Sequence, residues 1–246
     1  MTSPWYASYF SEPYGEVYAN YLLPPEDTVT EAKFTAKALK LKVADRILDC
    51  PCGYGRHLAE WKKFPHIVGL DLDADCLVRS KATVAPESPV LRGDMRSLPF
   101  ADNSFDVIIN LFNSFGYFTP KENRLVLDEW YRVLAPKGRL LIDIVNPPPL
   151  VEIVSDNPRT MVQVRDLVFT EDWGLDAEKN ILSNRTTIQL GKKRCKRSYK
   201  LQLYSFEELQ EMLAEAGFKF QKVWGDFDGE VYAPDESDRL IVIATK

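Results

Sequence analysis

Between residues 46 and 145 the chain alternates short apolar runs with segments of helical period. The runs at 46–49 (RILD), 66–71 (HIVGLD), 90–93 (VLRG), 105–112 (FDVIINLF) and 139–145 (RLLIDIV) are four to eight residues long, as in strands buried on both faces. After the first run, Leu58, Ala59 and Trp61 begin a helical pattern. A longer helix starts at Thr119 or Pro120 and continues through Leu134. Leu125, Leu127 and Trp130 are expected to face the sheet, and Pro136-Lys137-Gly138 ends it. Upstream, Pro24-Pro25 breaks the chain and Glu26-Asp27 opens a helix to about Leu41, with Phe34, Ala38 and Leu41 on one face. Downstream, Ser205 with Glu208 three residues on is a capping box, and Gly217 ends that helix. Residues 218–224 and 239–245 read as strands. Only about 14 residues separate them, too few for a crossover helix, so they pair antiparallel. The prediction is an α/β fold with a seven-stranded doubly wound sheet whose last strand is antiparallel.

Residues 150–204 break this rhythm. The stretches 161–170 and 181–190 alternate apolar and polar residues, with a turn at about 174–179 between them, and 195–204 reads as a third strand. A small antiparallel β insertion after strand 5 is expected, covering the active site. Asn146-Pro147-Pro148-Pro149 steers the chain out of the sheet. The predicted organisation is an N-terminal aromatic segment and helix at 1–41, a ligand-binding domain at 42–149 and 205–246, and a β cap at 150–204.

Composition narrows the function classes. The 246 residues are 45% hydrophobic and 27% charged, with a net charge of −5 that disfavours a general nucleic-acid binder. No apolar run approaches the ~20 residues of a membrane span, and the start lacks a basic region followed by an apolar one. Cys50, Cys52, Cys76 and Cys195 form no C-x-x-C pair, and there are two histidines, so no metal site is expected. Reduced thiols in the cytoplasm are the expectation, with no membrane partner and a monomer or homodimer.

The chemistry concentrates in 46–57, RILDCPCGYGRH. A strand that ends at an acid and enters a glycine turn lets backbone approach a nucleotide closely, at Gly53 and Gly55. A nicotinamide dinucleotide turn would need G-x-G-x-x-G, and the third glycine is missing. The acid instead precedes the turn, at Asp49. That order resembles motif I of the class I S-adenosylmethionine (SAM) methyltransferases, D-x-G-x-G-x-G, with Pro51 in place of the first glycine. Asp71 ends the second strand 22 residues beyond Asp49, where a carboxylate can accept both ribose hydroxyls; the competing role is capping of the helix from Asp73.

The resemblance implies further cofactor contacts. In VLRGDMRSLP, Asp94 would meet the adenine amino group and Met95 its ring; Leu72 joins them, and Asn110 and Leu111 would hold the methionine part through backbone groups. The run RVLAPKGRLLID and the antiparallel seventh strand also look like this family, and similar β caps occur in its amino-sugar and glycine N-methyltransferases. An Asn/Asp-Pro-Pro-aromatic motif grips nucleobase amines after strand 4 in some relatives; here the prolines follow strand 5 and lack the aromatic.

Substrate-side candidates are Tyr14 and Tyr18 from an N-terminus with seven aromatics in 21 residues, Phe115 and Tyr117 after strand 4, and Asp226, Asp228 and Tyr232 between the last strands. The N-terminal aromatics either cover the site or pack on the domain; Phe115 and Tyr117 either face substrate or wall the pocket. The expected activity is methyl transfer from SAM to N or O, in preference to C, of a small molecule. No catalytic residue is assigned. One alternative is an RNA or protein methyltransferase using the basic stretch 192–200, which carries six basic residues in nine and otherwise reads as a solvated hairpin tip. Another is a protein that binds SAM or another nucleotide without turnover.

Overall fold

Each apolar run becomes a strand in the computed structural model, which describes residues 5–7, 9–10, 14–17 and 21–246. In chain order the strands are β1 (Ile47–Asp49), β2 (Ile67–Asp71), β3 (Val90–Arg92), β4 (Phe105–Asn110), β5 (Leu134–Val145), β6 (Arg159–Val164), β7 (Leu167–Asp176), β8 (Ile181–Leu190), β9 (Lys193–Gln202), β10 (Lys219–Trp224) and β11 (Arg239–Thr245). The helices are α1 (Tyr14–Val17), α2 (Pro25–Ala38), α3 (Arg56–Glu60), α4 (Ala74–Arg79), α5 (Pro120–Val133), α6 (Pro147–Asp156) and α7 (Phe206–Glu215). Seven strands form one sheet in the order β10-β11-β5-β4-β1-β2-β3. β11 runs antiparallel to both β5 and β10, and the other pairings are parallel.

The period of two along the central strands separates two cores. Leu48, Ile108 and Ile142 meet Leu127 and Trp130 of α5 and Leu209 and Leu213 of α7. Ile47, Val107, Ile109 and Leu141 meet Ala32 of α2 and Leu58 and Trp61 of the α3 region. Thr119 and Glu122 form a reciprocal capping box on α5, with Pro120 in the first turn, and its buried stripe is Asn123, Val126, Leu127, Trp130 and Val133. Leu125, expected to face the sheet, is 46% exposed; Val126 takes that place. The expected face of Phe34, Ala38 and Leu41 packs, partly buried, against the second core, Phe34 edge-on to Trp224 and Phe227, while Glu31, Ala32 and Thr35 of α2 are the more deeply buried positions.

The insertion differs in detail from the expectation. The prolines at 147–149 form the first turn of α6, where a missing N–H removes no helical bond, so they start a helix as well as leaving the sheet. The stretch 161–170 is two strands: β6 turns at Arg165, with φ +55°, into β7, which continues past Gly174. The second sheet therefore has four strands, in the order β6-β7-β8-β9, all antiparallel. Leu167, Phe169 and Ile188 on its inner face bury Tyr9 and Val17 of the N-terminal segment.

Candidate active site

A cavity of about 1050 Å³, counting its open mouth, lies beyond the carboxyl ends of β1, β2 and β4. Its floor is the turn after β1, with Pro51, Cys52, Gly53 and Tyr54, flanked by Asp71 and Leu72, by Asp94 and Met95, and by Leu111 and Phe112. Tyr6, Phe10, Gly15 and Leu23 of the N-terminal segment, together with Ser114, Tyr117 and Phe118, close it over.

The two glycines of the turn serve different ends. Gly53 has φ +54°, and a Cβ there would meet nothing within 4 Å, so its missing side chain adds to the open space. Gly55 has φ +82°, and a Cβ would come 2.3 Å from the Ser80 Oγ, so it lets the turn pack on the helix behind it and does not line the cavity. Asp71 fixes the turn to the end of β2. The Gly53 N–H donates to Oδ2 at 2.7 Å and the Asp73 N–H to Oδ1 at 2.8 Å. The α4 cap is Asp73 itself, accepting from the Asp75 and Cys76 N–H groups, so Asp71 is not consumed by capping. Burial pushes the Asp71 carboxyl up to about 6.

Asp49 and Asn110 lie beneath the floor. Asp49 is fully buried, its Oδ2 has no partner among the described residues, and burial pushes its carboxyl up to about 8 despite the nearby Arg56. Asn110 donates from Nδ2 to the Cys50 carbonyl at 2.8 Å, tying β4 to the turn. Both shape the floor from below and do not line the cavity. Asp94 reaches it, but its carboxylate is also gripped by Arg96, with Nη2 to Oδ2 at 2.7 Å. Burial raises the Asp94 carboxyl, yet the Arg96 bonds outweigh it and hold the group below its usual range. The Arg96 guanidinium spans the Phe118 ring at 4.3 Å and the Tyr6 ring at 5.2 Å, joining floor to cover.

Among the expected substrate-side residues, Tyr117 lines the cavity and packs edge-on to Trp5 at 5.1 Å between ring centres. Phe115 instead points into the core against Trp130 and Tyr204, 1% exposed, which removes it from the site. Asp226 and Asp228 accept N–H groups of their own turn, from Phe227 and Glu230, and the Tyr232 hydroxyl donates to Asn146 Oδ1 at 3.0 Å. None of the three lines the cavity. Tyr18 lies outside the described residues, and Tyr14 is described only as the first residue of α1.

Two clusters escaped sequence reasoning. On the cavity wall, Glu31 Oε2 accepts from Arg56 Nη1 at 2.5 Å and lies 2.7 Å from His57 Nε2, a three-residue group joining α2 to the glycine turn. Burial lowers the His57 pKa and outweighs the Glu31 contact, which favours the neutral ring. Beside it, the fully buried Asp143 holds Arg239, with Nη2 to Oδ2 at 2.7 Å, and accepts the Phe112 N–H at 2.8 Å. Phe112 and Asn113 have φ values of +62° and +61°, so this ion pair braces a turn that lines the cavity. The signals were present in Arg56-His57 and in the Asp143 of the fifth apolar run, but their partners are distant in sequence.

The cover is fastened to the four-stranded sheet, none of whose residues lines the cavity itself. The Thr186 hydroxyl donates its proton to Asn184 Oδ1 at 2.6 Å, so Tyr9 is the donor in the 2.9 Å bond between their hydroxyls. Tyr199 of β9 packs against Tyr9 and Trp5. The basic residues of 192–200 do not line the cavity; Arg194, Lys196 and Lys200 are exposed.

Comparison with known proteins agrees with this layout. Residues 47–138 match a family described as a methyltransferase domain. The chain is 26% identical over 227 residues, 88% of its length and 82% of the relative's, to a glycine/sarcosine N-methyltransferase of Aphanothece halophytica. It superposes on the CcbJ methyltransferase from Streptomyces caelestis with a TM-score of 0.82 at 19% identity, covering 97% of this chain and 98% of that one. It also superposes on the SAM-bound amino pentose methyltransferase CalS10 from Micromonospora echinaspora, with a TM-score of 0.69 at 21% identity over 94% and 95% of the two chains. Residues 47–138 thus match a methyltransferase domain, and the chain as a whole has the fold of SAM-dependent methyltransferases.

Proposed function

We propose that the chain moves a methyl group from SAM to a nitrogen or oxygen of a small molecule enclosed beneath the N-terminal aromatic cover. The observation that carries this reading is the form of the cavity. It is a concave site walled by Tyr6, Phe10, Tyr117 and Phe118 over the glycine turn, with a few polar groups at its edge, as small-ligand sites are. The basic hairpin that would serve RNA lies outside it.

The residues present fit SAM. Each Asp71 oxygen keeps a lone pair beyond its one backbone bond, enough to accept two ribose hydroxyls. Leu72 and the buried Met95 offer apolar faces for adenine, and Asp94 an acceptor for its amino group. When bound, SAM supplies a methyl group activated by its sulfonium. The chain's part is to position the acceptor and exclude water. Burial raises the Tyr117 pKa, so that hydroxyl stays protonated at neutral pH and serves as a donor rather than a base. An amine acceptor already neutral in solution needs no base from the protein, and two of the compared proteins bear names of enzymes acting on amines. Four free cysteines and no helix among the described residues able to cross a membrane support action in the cytoplasm.

The test is calorimetric titration of wild type and Asp71→Ala with SAM, S-adenosylhomocysteine (SAH) and NAD. Mass spectrometry then follows methyl transfer to amines, amino sugars, hydroxy acids and RNA. SAM and SAH should bind, about tenfold or more weakly in the variant, because a charged hydrogen-bond acceptor is lost. Methylated product should appear among the small molecules. Binding of NAD alone, or methylation of RNA alone, would overturn the proposal.

A further inference from the structure

The four-stranded sheet turns a strongly basic face away from the cavity cover. Leu182, Ile188 and Leu201 point inward and are buried, so the alternate positions of β8 and β9 point outward. Those positions include Arg185, Arg194, Lys196 and Lys200, all exposed. Ser198 stands opposite Arg185, which places Lys196 and Lys200 to either side of that guanidinium. Like charges this close on neighbouring strands repel. No acid occurs between Ile181 and Ser205, and none of the four cations has a carboxylate partner among the described residues; the ion pair on this face joins Arg159 to Asp172. Met161 of β6 extends the same face with an apolar side chain that is 67% exposed.

The loop between β10 and β11 has the opposite character. Residues 225–238 hold six acids and no lysine or arginine. Asp228, Glu230, Asp235, Glu236 and Asp238 are exposed, with no cationic partner among the described residues. Val231 stands among them, 88% exposed. The loop is held in shape from within: Asn146 Nδ2 donates to the Pro234 and Ser237 carbonyls at 2.7 Å each, and the Gly225 N–H to the Glu230 carbonyl at 3.0 Å. A surface already fixed in shape loses little entropy on docking. Single exposed ion pairs are worth little, but several charges facing several opposite charges around an apolar contact form a network.

We propose that the acidic 225–238 loop of one copy of this chain docks on the basic outer face of the four-stranded sheet of a second copy, with Val231 against Met161. Two different surfaces meet, so each copy offers one of each, and the contact either closes into a ring or pairs two copies twice. The face suits an acidic protein surface better than a nucleic acid. Its outward positions carry no aromatic ring on which bases could stack, and the net charge of −5 makes the remainder of the chain repel a long polyanion.

The experiment is sedimentation velocity on the full chain, at concentrations up to about 0.1 mM and in salt from about 0.05 to about 0.5 M. Wild type should self-associate at low salt and weaken at least about tenfold across that range. The face variant Lys196→Glu with Lys200→Glu, and the loop variant Asp235→Lys with Glu236→Lys, should each lose at least about tenfold in self-association. An equimolar mixture of the two should form a one-to-one complex, because each keeps the surface that the other has lost; the complex also shows that both variants fold. A wild type that stays monomeric, variants that associate as well as wild type, or a mixture that stays monomeric overturns the proposal. Binding of a labelled single-stranded RNA by a monomeric wild type, abolished in the face variant, would assign the face to nucleic acid and overturn it as well.

Discussion

The two sheets are held in different ways: the larger carries the cavity at its strand ends, and the smaller packs against the N-terminal segment that covers it. The seven-stranded sheet has helices on both faces, with Ile47, Leu48, Val107, Ile108 and Leu140 fully buried. The Asp143–Arg239 pair braces its ligand-side edge. The four-stranded sheet buries one face, against N-terminal aromatics, and leaves residues such as Met161 of β6 67% exposed. A chain of hydrogen bonds from Tyr9 through Thr186 and Asn184 to Glu171 crosses that inner face. A sheet buried on both faces opens only with the whole fold, whereas one covered by a terminal segment can open locally at lower free energy. The floor of the site is thus rigid, and its cover is tied to the less stable element.

The comparison breaks first at Asp143. Replacing it by Ala leaves the Arg239 guanidinium, inside the fold, without its carboxylate and frees the Phe112 N–H. Removing one partner of a buried pair costs about 3–5 kcal/mol. Urea unfolding of Asp143→Ala should show a loss in that range, larger than any single substitution on the cap sheet, and SAH affinity should fall because the turn after β4 loses its anchor. A smaller loss than from a cap variant would reverse the ranking of the two regions.

The buried acids beneath the floor sharpen the comparison through pH. Asp49 titrates near 8 in the folded ligand-free protein against 3.8 for the free side chain, so the folded state holds a proton that the unfolded state has released. Stability therefore falls as pH rises from about 4 to about 8, by up to about 1.4 kcal/mol per pH unit for the proton held. Asp71, raised to about 6, adds a like fall only in the lower part of that window. His57, whose pKa is lowered from 6.5, acts with the opposite sign below that value. The interval from about 6.5 to 8 isolates Asp49. Urea unfolding across it should show a declining stability that is flat in Asp49→Asn; a decline of equal slope in the variant would remove Asp49 as its source.

What the sequence made legible follows the same division. Strands buried on both faces must be apolar throughout, so β1, β2, β4, β5 and β11 stood out. The motif residues Cys52, Gly53, Asp71, Leu72, Asp94, Met95 and Leu111 lie together on the cavity because they follow strand ends brought side by side in one sheet. Glu31 was missed because an acid on a helix reads as a solvent-facing residue; its partner Arg56 is 25 residues away, outside any local period. Phe115 and Tyr117 are two positions apart and equally aromatic, and only the path of the turn sends one into the core and the other to the cavity. The prolines before α6 concealed a helix, since the same residues mark a break and a first turn.

The smallest expected effect is the most specific to the cap. Tyr9→Phe keeps the ring packing on Trp5 and Tyr199 and removes one donor to the Thr186 hydroxyl, which retains its own bond to Asn184. The loss should be about 1 kcal/mol, and its location matters more than its size. Hydrogen exchange should speed up about fivefold at amides of β8 and β9, with β4 and β5 unchanged, and SAH affinity should fall slightly because Tyr6 and Phe10 flank the altered residue on the cavity cover. Equal acceleration in β4 would mean that both sheets open as one unit. In that case the cover would be as rigid as the floor, and acceptor entry would have to use the cavity mouth without local opening of the cap.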